Sequence, residues 1–248
     1  MDKKNEKLFS PMPKFGKSSF CSIFGNSSSG KSTYIKHLLI ESKYHFKNDI
    51  DRLIFIYSVE DDCVKELQNY FPEKRGEKPD GKYFKNFPMD LMEHVVPCHT
   101  VIVIDDKEDE MTKNKEISKE ISYLATILCH HEFLNVFVNF QTFSPLRMRH
   151  ALQPAISQST NLVFFRNPNN HLSLKRFFLN YNIKLKKGQT LYEVYKRFIQ
   201  KERFNYLMID ISPTAKCSKA YSHMLLCDTK PMLSFHDSDS SDCEDDDA

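Results

Sequence analysis

Nowhere does this sequence of 248 residues approach the roughly 20 consecutive apolar residues that a bilayer-crossing helix needs. Nor is the charged start, residues 1–7, followed by the apolar block of a secretory leader. The chain is therefore expected to stay in a reducing compartment and to have no membrane partner. Its seven cysteines, Cys21, Cys63, Cys98, Cys129, Cys217, Cys227 and Cys243, include no Cys-x-x-Cys pair, which argues against both a disulfide framework and a zinc module. They read as free thiols. Internal repeats are absent, and one main domain is the default.

What is present is an ordinary globular composition, 40% hydrophobic, enough for one substantial α/β core. The formal net charge of +2 conceals an asymmetry. Residues 237–247 carry seven acidic side chains and no basic one, which leaves +9 on residues 1–236. A basic body is compatible with a polyanionic partner and equally with a solvated surface.

Residues 1–18 mix Lys, Pro, Gly and Ser and read as a basic arm outside the core; the domain is expected over 19–236. The tail, 237–248, is low-complexity, acidic and expected to be disordered. Between arm and tail, β-branched or aromatic runs at 19–24, 52–58, 100–105, 135–141 and 161–166 alternate with helical or loop material. That pattern predicts an α/β fold with a mainly parallel central sheet flanked by helices. Val101-Ile102-Val103-Ile104 is apolar at every position, as a strand covered on both faces must be. The segment 70–97 reads as a helix followed by a long surface loop without chemistry, and 172–181 and 190–202 read as helices. Residues 204–211 and 223–227 flank the turn formers Ser212, Pro213 and Thr214, which predicts an antiparallel hairpin at the sheet edge.

The strand at 19–24 runs directly into Gly25-Asn26-Ser27-Ser28-Ser29-Gly30-Lys31-Ser32, and a helix with Ile35, Leu38 and Leu39 on its buried side follows. Strand, loop and helix in that order give GxxxxGKS its meaning as a phosphate-binding loop for ATP with Mg²⁺. Gly25 and Gly30 let successive N–H groups converge on phosphate oxygens, and the helix adds its positive dipole end. Lys31 is expected at the β- and γ-phosphates and the Ser32 hydroxyl at Mg²⁺. Thr33 is either a contact for the α-phosphate or a plain helix residue.

The buried run from Thr100 to Ile104 ends in Asp105-Asp106, the Walker B arrangement that delivers an acid beside the phosphate loop. Asp105 is the candidate for supporting Mg²⁺. Asp106 is the candidate for orienting or deprotonating the attacking water; the alternative is a plain residue of the acidic loop Lys107-Glu108-Asp109-Glu110. Gln141 ends a further buried strand. If that strand lies between the two nucleotide-binding strands, its amide can reach both the γ-phosphate and the water.

Asn114-Lys115-Glu116-Ile117 lacks the Asp of a guanine-reading Asn-Lys-x-Asp element, so GTP specificity is unsupported. No Leu-Ser-Gly-Gly signature is present, which excludes ABC transporters. The remaining pattern fits RecA-like ring motors better than the alternative, a P-loop kinase or another nucleotide-binding protein not acting on DNA. Cys129, His130 and His131 tempt a metal reading, but no second Cys/His cluster stands at zinc spacing.

In order and spacing the chain resembles the DNA-packaging ATPases of the FtsK-HerA superfamily, in the branch carried by poxviruses, other large DNA viruses and Polinton (Maverick) elements. The residues that carry the resemblance are Phe24 with the phosphate loop, Val101-Ile102-Val103-Ile104-Asp105-Asp106, His130-His131, and Asn135-Val136-Phe137-Val138-Asn139-Phe140-Gln141. Arg147 and Arg149 follow, then a strand at 161–165 leading into Arg166-Asn167-Pro168-Asn169-Asn170. The resemblance spans residues 19–185 and implies a RecA-like P-loop NTPase that pulls double-stranded DNA into a viral capsid as a homo-oligomeric, hexameric ring. It also implies contact with capsid proteins and a location in the host nucleus, a cytoplasmic virus factory or the virion. By position, Lys31 and Ser32 hold phosphate and metal, Asp105 supports Mg²⁺, Asp106 stands at the catalytic acid and Gln141 at the sensor. Such rings complete the site with a neighbour's arginine, for which Arg147, Arg149 and Arg166 are candidates. The chain departs from the family in its compactness, in Asp106 where many motors carry Glu, and in its acidic tail. DNA contacts are expected from basic loop residues such as Lys184, Lys186 and Lys187 or from Lys14 and Lys17 in the arm.

Overall fold

A computed structural model describes residues 9–10, 15–16, 18–73, 79–95, 98–128, 133–141, 152–166, 171–179, 190–199, 205–210, 219–224 and 232–234. The five apolar runs form strands: β2 (Ser19–Phe24), β3 (Arg52–Ile56), β5 (Thr100–Ile104), β6 (Leu134–Phe140) and β7 (Asn161–Phe165). They are joined in one ten-stranded sheet by β1 (Phe9–Ser10), β4 (Asp80–Phe84), β8 (Asn205–Asp210), β9 (Lys219–Met224) and β10 (Met232–Ser234). The strand order is β1-β10-β9-β8-β7-β2-β6-β5-β3-β4. From β7 to β4 all neighbours are parallel; from β7 outward through β8, β9, β10 and β1 they are antiparallel.

Helices cover both faces, which is why the central strands are apolar at successive positions. On one face lie α1 (Lys31–Ile40) and α3 (Asp62–Tyr70), packing Ile35, Leu38, Leu39, Val64 and Leu67 onto Ile23, Phe55, Val103 and Phe137. The short α2 (Ser42–His45) follows α1. The opposite face is covered by α4 (Leu91–His94), α5 (Glu108–Lys113), α6 (Lys115–Tyr123), α7 (Gln153–Ser157), α8 (His171–Phe178) and α9 (Leu191–Val194), through Leu91, Met111, Ile117, Ala155, Leu174 and Leu191. Single π-helical turns extend α6 over Leu124–Leu128 and α9 over Tyr195–Ile199. Burying each large apolar side chain contributes about 1.5–3 kcal/mol, so the two-sided core carries the fold. Phe24 stacks on Phe140 and on Phe164, with ring centroids 5.2 and 5.1 Å away, locking the ends of β6, β2 and β7 together beneath the loop that follows β2.

Four features differ from the sequence expectation. The segment 70–97, expected to be helix and loop, contains β4, whose Asp80-Gly81-Lys82-Tyr83-Phe84 is too polar to read as a strand. It is the outermost strand beside β3, where one side needs no strand partner, and the Arg52–Asp80 ion pair at 2.7 Å fastens it. The hairpin forms between β8 and β9, but its second strand begins at Lys219 and ends at Met224, earlier than 223–227. It also lies inside the sheet, since β10 and β1 continue beyond it. Finally, within the stretch expected to be an arm, Phe9–Ser10 forms β1, and Phe15 is buried against Phe46 and Phe137. Aromatic residues in a Lys- and Pro-rich segment lack the periodicity that would have revealed this.

Candidate nucleotide site

The alternation of strand side chains builds the site. On the α1 face of the sheet, β2 presents Cys21 and Ile23, β5 presents Val101 and Val103, and β6 presents Phe137. Continuing each series by two residues reaches Gly25, Asp105 and Asn139, so all three arrive at the carboxyl edge on the side where α1 begins. The parallel register aligns Ile23 with Asn139 and Ile104 with Val138, which keeps these ends level.

The phosphate-binding loop takes the backbone its sequence requires. Gly30, with φ 104°, precedes α1 as its N-cap without any side-chain cap, and Ser28 also has a positive φ, 59°. The first intrahelical bond of α1 runs from Tyr34 N–H to the Gly30 carbonyl at 2.8 Å, so the N–H groups ahead of it belong to the loop. Gly25 has no room for a side chain: a Cβ there would lie 2.6 Å from Ser29 Oγ and 2.7 Å from Phe165 Cβ. Ser29 Oγ itself is buried with no hydrogen-bond partner among the described residues. Lys31 is buried, and its ammonium donates to the carbonyls of Gly25 (2.7 Å) and Asn26 (3.0 Å), so it lies folded along the loop it would neutralise phosphate from. Burial pulls its pKa down, opposed by the charges of Asp105, Asp106 and Glu108.

Asp105 is likewise buried, and burial raises its pKa; hydrogen bonds from Asn139 and Ser32 act in the other direction. Ser32 Oγ donates to Asp105 Oδ2 and Asn139 Nδ2 to Asp105 Oδ1, each at 2.8 Å. A hydroxyl and a carboxylate this close are the oxygen donors that a hard cation such as Mg²⁺ takes, and they fit it as ligand and support. Thr33 is half-buried in the first turn of α1, one residue beyond Ser32.

Asp106 and Gln141 are exposed and joined, Gln141 Nε2 donating to Asp106 Oδ1 at 2.8 Å. The condition set for Gln141 is met, because β6 lies between β2 and β5. The structure thus gathers Gly25, Asn26, Ser27, Ser28, Ser29, Gly30, Lys31 and Ser32 with Asp105, Asp106 and Gln141 at one sheet edge. Arg166 is exposed at the end of β7, its carbonyl accepting from Asn26 N–H at 3.4 Å. Arg147, Arg149, Cys129, His130, His131, Lys14, Lys17, Lys184, Lys186, Lys187 and the acidic tail lie outside the described residues. No cluster of three or more His, Cys, Asp or Glu side chains that could hold a metal ion occurs among the described residues. Nor, among them, is any helix long and apolar enough to cross a membrane.

Two contributors were not singled out in the sequence. Asn139 is fully buried and fixes the Asp105 carboxylate, while its own Oδ1 has no partner among the described residues. Its signal was a polar residue two positions before Gln141 in an otherwise apolar run. Glu108 accepts the Gln141 backbone N–H at 2.9 Å, which ties the end of β6 to the segment after β5; within an acidic run nothing distinguished it.

No protein-family model matches the sequence, and no curated protein matches it. Among solved structures, it is similar to the genome packaging NTPase B204 of Sulfolobus turreted icosahedral virus 2. With AMPPCP bound, that structure gives a TM-score of 0.53 at 15% identity, covering 83% of this chain and 98% of B204. The ATP-gammaS complex gives 0.51 at 16% identity with the same coverage, and so does the AMP complex. Loop, strand order and structural likeness agree: this chain has the P-loop NTPase fold, shared over nearly the full length of a viral genome packaging NTPase.

Proposed function

We propose that this chain is an ATPase of the FtsK-HerA type that drives double-stranded DNA into a viral capsid as a ring, with six subunits and the capsid proteins as its partners. The observation that carries the reading is the placement of β6, with Gln141 at its end, between the phosphate-loop strand and the Asp105-Asp106 strand. That order supports a sensor role for the Gln141 amide in coupling hydrolysis to movement, and the fold likeness to B204, itself a genome packaging NTPase, supports the reading. The reading places the protein in the host nucleus, a cytoplasmic virus factory or the virion.

In this reading Lys31 leaves the Gly25 and Asn26 carbonyls to meet the β- and γ-phosphates of ATP, and Ser32 and Asp105 would hold Mg²⁺. The cation supplies charge neutralisation on the transferred phosphoryl group. Asn139 donates to Asp105 Oδ1 and so helps orient that carboxylate. Asp106 accepts the proton of the attacking water while Gln141 orients that water. An arginine of the neighbouring subunit, from Arg147, Arg149 or Arg166, stabilises the developing charge.

The test is hydrolysis by the purified protein with and without long double-stranded DNA. A packaging motor is stimulated by DNA. Indifference to DNA together with phosphate transfer to a small metabolite would instead establish a P-loop kinase.

A further inference from the structure

Asp106 has φ 54°, and outside the phosphate loop it is the one non-glycine residue with a positive φ among the described residues. An L-residue there brings its Cβ close to its own carbonyl; Asp tolerates this better than most, and neighbouring groups help to hold it there. On one side the ladder of β5 ends with Asp105 N–H donating to the Ile56 carbonyl at 2.8 Å. On the other, Lys107 is buried, with its ammonium on the Lys85 carbonyl (2.6 Å) and on Glu110 (2.8 Å). Between these anchors, Ser58 Oγ, two residues past the end of β3, donates to the Asp106 carbonyl at 2.6 Å. The turned backbone leaves the Asp106 carboxylate on the Gln141 amide.

We propose that Ser58 is a positioning residue for hydrolysis. Its hydroxyl holds the Asp106 carbonyl, keeps that residue left-handed, and so aims the carboxylate at Gln141 above the phosphate loop rather than into the acidic loop beyond. Released from Ser58, Asp106 relaxes toward the right-handed or extended region and its Cα–Cβ direction swings away. The proposal rests on the reading of Asp106 as the acid that serves the attacking water.

Steady-state ATP hydrolysis with Mg²⁺, together with thermal melts, tests it on the full chain. In Ser58→Ala, kcat falls about ten- to a hundred-fold, as a displaced catalytic group entails, while KM stays within about two-fold. Ser58→Thr keeps the hydroxyl and restores most of the rate. Asp106→Gly abolishes turnover yet melts a few degrees above wild type, because glycine adopts the turn without strain. A wild-type kcat in Ser58→Ala, or an Asp106→Gly protein that melts below wild type, overturns the proposal alone. A wild-type chain that binds ATP without hydrolysing it overturns the functional reading and the proposal with it.

Discussion

Lys31 and Asp105 are both buried charges whose ionised forms burial disfavours, and each is held by named neighbours. Such groups cost stability without their ligand, which marks them as residues kept for binding. Replacing Lys31 by Ala should abolish hydrolysis and weaken ATP binding by about 1.5–3 kcal/mol, the worth of a charge-assisted contact, as read by phosphate release and by titration with a fluorescent nucleotide. Undiminished turnover would remove the loop from the mechanism. Asn139→Leu keeps the shape of the side chain and deletes its donor. The Asp105 Oδ1 it served would be left buried and unpaired, so stability to denaturant should fall by roughly 1–3 kcal/mol, with a higher Mg²⁺ requirement for hydrolysis. Unchanged stability and Mg²⁺ dependence would reduce Asn139 to a filler of the core.

At the scale of elements, the β2-loop-α1 unit is tight because Gly25 passes between Ser29 and Phe165. Phe165 belongs to the core and packs against Tyr34 and Tyr206, with ring centroids 5.8 and 5.4 Å away, and those two rings pack on each other. It cannot give way as a flexible side chain would. Gly25→Ala should therefore displace the loop, and equilibrium binding of Mg²⁺-ATP should drop at least about ten-fold while the fold survives, the loss expected from a shift that misaligns the phosphate contacts. Binding at wild-type strength would mean that the loop absorbs a methyl group freely. A different element explains the incomplete Asn-Lys-x-Asp match: Asn114 Oδ1 accepts from the N–H groups of Glu116 (3.0 Å) and Ile117 (3.5 Å) as the N-cap of α6. Its role is capping, and Asn114→Ala should lower stability by about 1 kcal/mol in denaturant titrations while leaving the choice between ATP and GTP unchanged. A change in nucleotide preference would contradict that assignment.

For the whole molecule, the sheet has one polar outer strand in β4 and a shorter one in β1, and the nucleotide edge faces the side where Arg166 ends β7. A ring built by an arginine reaching across to this edge should be favoured by a non-hydrolysable ATP analogue with Mg²⁺. Light scattering should then report a mass near six chains, rising with protein concentration and falling as salt screens the arginine contact. Only monomer in the presence of nucleotide and DNA would count against the motor. In the proposed motor, the acidic run at 237–248 would compete with DNA for basic residues of the body.

The sequence by itself determined the phosphate loop, the acid Asp105 at the end of β5 and the five central strands, because these rest on local rules. A glycine is needed where a chain turns toward a ligand, a serine and lysine where phosphate and cation sit, and apolar residues throughout a strand that helices cover on both sides. Asp106 and Gln141 were legible as strand ends, but only the strand order made them partners, since β5 and β6 become neighbours through a crossover that no local pattern encodes. Tertiary structure alone decided the rest. β4 reads as loop because it is an outer strand, and Phe15 joins the core from a segment without periodicity. Asn139, Glu108 and Ser58 act through partners 34, 33 and 48 residues away in the chain, and an interaction between such distant residues exists only once the sheet has brought them together.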